Sequence, residues 1–155
     1  MIVISDTSPI TALLTINQIE ILEKIYKQVI IPEAVYNELL VEHIDIPEFI
    51  KIDKVMDRHK VELLLNEIDL GEAESIVLAK EKNADLVLID EQIGRKIAER
   101  EGLQIIGLIG VILIAKKKRY IDSIRQIISL LEEKAGFWIS DSLKKYVFEI
   151  AEELE

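Results

Sequence analysis

The chain has 155 residues, half of them hydrophobic, with 29 acidic against 19 basic side chains, a formal charge of -10 and no cysteine. That much apolar sequence can bury a core and excludes a disordered tail, while the acidic balance argues against general electrostatic attraction to nucleic acid or an anionic membrane. Disulfides and thiolate chemistry are excluded, so a metal would be held by oxygen or imidazole, and the two histidines, His43 and His59, lack ligand-like spacing.

No basic stretch precedes the first apolar run, and the most apolar segment, 103–115, carries Gly107 and Gly110 and falls short of the roughly 20 residues a membrane span needs. The expectation is a cytoplasmic protein with no membrane segment. Ile2 to Ser5 reads as a strand that stops at Asp6. Ser8 then reads as an N-cap with Pro9 at the first helical position. Helical pattern runs through Leu14, pauses at Thr15 to Asn17 and resumes through Ile25, and Val29 to Ile31 is a second strand. Pro32 opens a helix to about Glu42, in which Ala34, Val35, Leu39 and Val41 define an apolar stripe at about 100° per residue. Glu38 falls near the centre of that stripe, where a carboxylate needs a partner; Glu42, on the same face one turn later, is its rival.

Residues 44–53, with Pro47, read as a loop and an edge strand, and Val55 to Ile68 as a helix. Asp69, Leu70 and Gly71 lead into a helix from Glu72 to about Lys82, with Ala73, Ile76 and Val77 inward, Glu72 bordering their stripe and Glu74 pointing away. Leu86 to Ile89 is an unbroken apolar run ending at Asp90, the pattern of a strand buried on both faces. A helix closed by Gly102 at C′ follows, then a strand over 104–106. From Leu108 the pattern is helical: to about Lys118, from Asp122 to Ala135 with Gly136 as its stop, and from Ser140 or Asp141 onward. This alternation predicts a single α/β domain over 1–155. It would be a three-layer arrangement around a central parallel sheet of four or five strands, with a helical carboxyl-terminal part from about 108.

Two strands that end in acids would present both at the carboxyl edge of a parallel sheet, where open α/β sheets hold ligands. Asp6, Glu38, Glu72 and Asp90 are therefore candidates for one site. Carboxylates at close quarters cannot all ionise unless a cation neutralises them; oxygen donors suit Mg²⁺ or Mn²⁺, whose retained waters can attack phosphorus. Each acid also has a purely structural use: Asp6 capping a helix with Ser8, Glu38 reaching solvent, Glu72 complementing a helix dipole, Asp90 capping the next helix.

The stretches VISDTSPI (3–10), IIPEAVYNELL (30–40) and LGEAESIVLAKEKNADLVLIDEQIGRKIA (70–98) resemble the PIN-domain nucleases over most of the chain, in a VapC-like, DTSP-containing form. The resemblance implies a Mg²⁺- or Mn²⁺-dependent endoribonuclease in which Asp6, Glu38, Glu72 and Asp90 are the metal-binding and catalytic acids. Such proteins are often the toxin of a VapBC-type pair, which implies an RNA substrate, an antitoxin partner and a homodimer. The family commonly has Asp where this chain has Glu72, one methylene longer.

Thr7 and Ser8 are candidates to hold a water of the ion, and Arg95, with Lys96, to steer a phosphate. The cationic run Lys116 to Arg119 would either hold phosphates or complement a helix end. Phe137 and Trp138 would pack the last helix against the body or a second subunit. A module that binds RNA or protein without cutting is the rival class. The absence of a Gly-rich phosphate loop counts against an NTPase or dinucleotide enzyme.

Overall fold

Five short strands, β1 (Val3–Ser5), β2 (Val29–Pro32), β3 (Ile50–Asp53), β4 (Leu86–Leu88) and β5 (Ile105–Ile106), pair in parallel in the order β3-β2-β1-β4-β5. The computed structural model describes residues 1–42 and 44–153, so the reading of His43 lies outside the described residues. Ser5 registers with Leu88 and Val87 with Ile105, which places β1 and β4 side by side at the middle of the sheet.

Their apolar runs are continuous because both faces of the sheet are covered. Along β1 and β4, Val3 and Leu88 enter one core while Ile4, Val87 and Ile89 enter the other, the alternation that pleated strands require. The first core is closed by α1 (Thr7–Thr15), α2 (Glu20–Tyr26), α3 (Glu33–Val41), α7 (Leu108–Lys117), α8 (Ile124–Lys134) and α9 (Asp141–Ile150). The second is closed by α4 (Arg58–Leu64), α5 (Leu70–Glu81) and α6 (Gln92–Arg100). Leu88, wholly buried at the centre, contributes about 1.5–3 kcal/mol by leaving water.

The α/β layers, the five-stranded parallel sheet and the helical end match the sequence reading; several boundaries do not. Asp6, not Ser8, is the N-cap of α1, and Pro9 stands third in the helix. It does no harm there, because the amides of a first turn have no partner within the helix. The helix expected over 55–68 shrinks to Arg58–Leu64, capped by Asp57, which accepts from the Lys60 amide at 3.1 Å. Val41, placed on the buried stripe of α3, is 79% exposed. The stripe is narrower than expected, and Glu38 sits at its exposed rim rather than its centre. Gly102 (φ +82) and Gly136 (φ +64) do take the left-handed conformation that ends α6 and α8.

Candidate active site

The Asp6 amide donates to the Leu88 carbonyl at 3.0 Å, so the chain leaves β1 beside the end of β4, and Asp90 lies two residues past Leu88. Although Asp6 has the extended backbone of an N-cap, its side chain makes no capping bond. It lines instead a cavity of about 550 Å³ that Glu38, Asp69, Glu72, Asp90 and Glu91 also line. Burial pushes the Asp6 carboxyl from 3.8 up to about 7. The Thr7 amide pulls it the other way, and the charges of Asp69, Glu38 and Asp90 add to the rise.

Glu72 arrives through its helix terminus. Asp69 caps α5 by accepting from the Glu72 amide at 2.9 Å, which turns the first helical residues toward the sheet edge. The Glu72 side chain is 5% exposed, and its Oε2 has no hydrogen-bond partner. Burial first, then the adjoining Asp69 carboxylate and the charges of Asp6 and Glu91, raise its carboxyl well above the usual range.

Asp90 does not cap the helix that follows it; Glu91 holds that position. Its Oδ1 accepts from the Leu108 amide at 2.9 Å, at the first turn of α7, while Oδ2 is buried without a partner. Burial raises the Asp90 carboxyl, against the lowering pull of the Leu108 amide and the Arg95 guanidinium. Glu38, although exposed on α3, is turned inward by a hydrogen bond from the Thr7 hydroxyl to Oε2. Glu42, its rival, lines the same cavity.

Donor chemistry fits a hard divalent cation: among the described residues every titratable group on the cavity is a carboxyl, and two buried carboxylate oxygens have no other partner. The acids surround the space rather than form a finished cage, for among the described residues no three acid or histidine side chains stand close enough together to hold an ion jointly.

Other residues fall elsewhere. Ser8 lines the cavity and Arg95 does not; the Arg95 Nη1 lies 3.4 Å from the Ile89 carbonyl, behind Asp90. Lys96 is exposed on α6. Lys116 bonds the Asp122 carbonyl at 2.6 Å and pairs with Glu153 at 2.9 Å, tying the chain end to α7 away from the acids. Trp138 is 80% exposed, so only Phe137 of that pair packs on the core.

Glu74 corrects the helical-wheel reading. It does not point away but is 4% exposed; its Oε1 accepts from the Ala34 amide at 2.9 Å and its Oε2 from Arg58 at 2.6 Å. A wheel separates a wet face from a dry one, whereas α5 is buried from Gly71 to Ala79 on all sides. Sequence reading also passed over Asp69 as a member of the acid group. The spacing Asp69-x-x-Glu72, a capping-box pattern, was the available signal.

A family model described as a PIN domain matches residues 2–153. Comparison with curated proteins finds no match.

Proposed function

The chain belongs to the PIN-domain family, whose members are generally nucleases, and on that premise we propose that it is a divalent-metal-dependent endoribonuclease. What carries this reading is the meeting, around one cavity at the carboxyl edge of the sheet, of acids from separate segments of the chain, with buried, unpartnered oxygens on Glu72 and Asp90. Asp6 and Asp90, with Glu38 and Glu72 completing the set, would hold a Mg²⁺ or Mn²⁺ ion, which when bound would supply charge neutralisation and Lewis-acid activation of water and phosphate.

The chain's own groups do the rest. Thr7 fixes the direction of Glu38 by its hydroxyl bond, and the Leu108 amide fixes Asp90. Glu72 Oε2, buried and without a partner, would be free to complete the ion's set or to accept a hydrogen bond from one of its waters. Arg95 steadies Asp90 rather than meeting the phosphate. Within this proposal the protein is the toxin of a toxin–antitoxin pair and a homodimer. Support for a protein partner lies in the exposed apolar residues Leu143, Tyr146 and Ile150 along α9. No helix among the described residues is long and apolar enough to cross a membrane.

One observation favours a second reading, a module that binds RNA or protein without cutting: among the described residues no three acids converge as they stand. The two part on a single experiment. Purified protein given Mg²⁺ or Mn²⁺ should cleave RNA, and EDTA or Asp6→Asn should abolish cleavage. Cleavage surviving in Asp6→Asn would refute the site, and metal binding with no cleavage of any RNA would favour the second reading.

A further inference from the structure

We propose that Phe137 forms a nucleobase subsite in the acid-lined cavity, an inference that rests on the nuclease reading above. Besides the carboxylates, the cavity is lined by one stripe of α1, Thr7, Thr11 and Thr15, and by the turn at Gly136 and Phe137 that follows α8. No lysine or arginine lines it. Beyond the reacting phosphate, a polyanion finds no cationic side chain among the described residues of these walls, which favours neutral contacts for the rest of its binding.

The walls supply two kinds. Thr11 and Thr15 donate their hydroxyl protons to carbonyls of their own helix, at 3.2 and 2.8 Å. Only acceptor lone pairs are left, which suit the N–H groups of a base or a ribose hydroxyl and repel a phosphate oxygen. The same cavity is lined by an aromatic residue already held in place. Gly136 turns the chain with φ +64, the Phe137 amide donates to the Leu131 carbonyl at 3.1 Å, and the ring packs against the first core. A ring fixed in this way loses little freedom when a base stacks on it, and any base offers a face.

The test measures binding of a short fluorescent single-stranded RNA and of the same strand with abasic nucleotides, alongside cleavage. The wild-type protein should favour the base-bearing strand over the abasic one by roughly tenfold, the size of one stacking contact. Phe137→Leu should lose that preference and Phe137→Tyr should restore it, with thermal denaturation confirming that both variants fold. Cleavage of RNA with equal binding of base-bearing and abasic strands overturns the subsite alone. Base-dependent binding without cleavage overturns the nuclease reading and leaves the subsite standing. Neither binding nor cleavage overturns both. A Phe137→Leu variant that changes molecular mass in solution while keeping the base preference assigns the ring to a subunit interface and overturns the proposal.

Discussion

Asp6→Asn should make the metal-free protein more stable while removing its activity. Burial lifts the Asp6 carboxyl from 3.8 to about 7 in the folded chain, so the fold favours the protonated acid. Its stabilising contribution is complete below about pH 4, drains away as pH rises, and is gone above about pH 7. There the ionised group costs the folded state on the order of 4 kcal/mol relative to an unperturbed carboxylate.

Asparagine keeps the size and the acceptor oxygen without the charge. In EDTA at about pH 8 the variant should therefore gain up to that amount, at about 2–4 °C in Tm for each kcal/mol in a chain of this length. The gap should narrow as pH falls below about 7 and close only near pH 4. Circular dichroism melts of both proteins across that range, in EDTA, read it directly. A variant no more stable than wild type at about pH 8, or a gap that ignores pH, would refute the claim that Asp6 is held in the cavity against its own ionisation.

Two further substitutions separate acceptors from charges. Asp90→Asn keeps an oxygen for the Leu108 amide, whereas Asp90→Ala strands that amide at the start of α7; the alanine should cost about 1 kcal/mol more in urea titration, though both should lose cleavage. Equal stabilities would mean the bond to α7 contributes nothing. Glu74→Ala leaves the Ala34 amide without its partner and should cost about 1–3 kcal/mol, while Glu74→Gln, which retains one acceptor, should cost less; equal losses in urea would assign the effect to charge.

Strands were the most legible part of the chain because β1 and β4 are buried on both faces, and a run such as Leu86 to Ile89 has no polar residue to confuse it. Asp6 and Asp90 were legible for the same reason: an acid ending such a run marks the edge of the sheet. Helix faces were less so. A wheel assumes that a polar residue seeks water, and Glu74 instead seeks the Ala34 amide and Arg58, partners that only the packing of α5 on α3 and α4 supplies. Phe137 joins the cavity through the packing of α8 on α1, a long-range contact with no local pattern to announce it.

Three glycines leave room for the acids that line the cavity. A Cβ on Gly71, in the first turn of α5, would lie 2.8 Å from Glu38 Oε1 and 3.3 Å from Asp6 Oδ1. One on Gly94 would run into Glu72 Oε2 and come within 2.8 Å of Ile89, and one on Gly107 would stand 2.8 Å from Asp90 Oδ1. At each place a carboxylate passes over bare backbone. Glycine inside a helix costs about 1 kcal/mol against alanine, so α5 and α6 each accept a local loss of stability where a site acid needs the space. The carboxylates are thus drawn together by the close approach of helix starts to the sheet edge, and these glycines permit that approach where their own side chains would otherwise have held the acids apart.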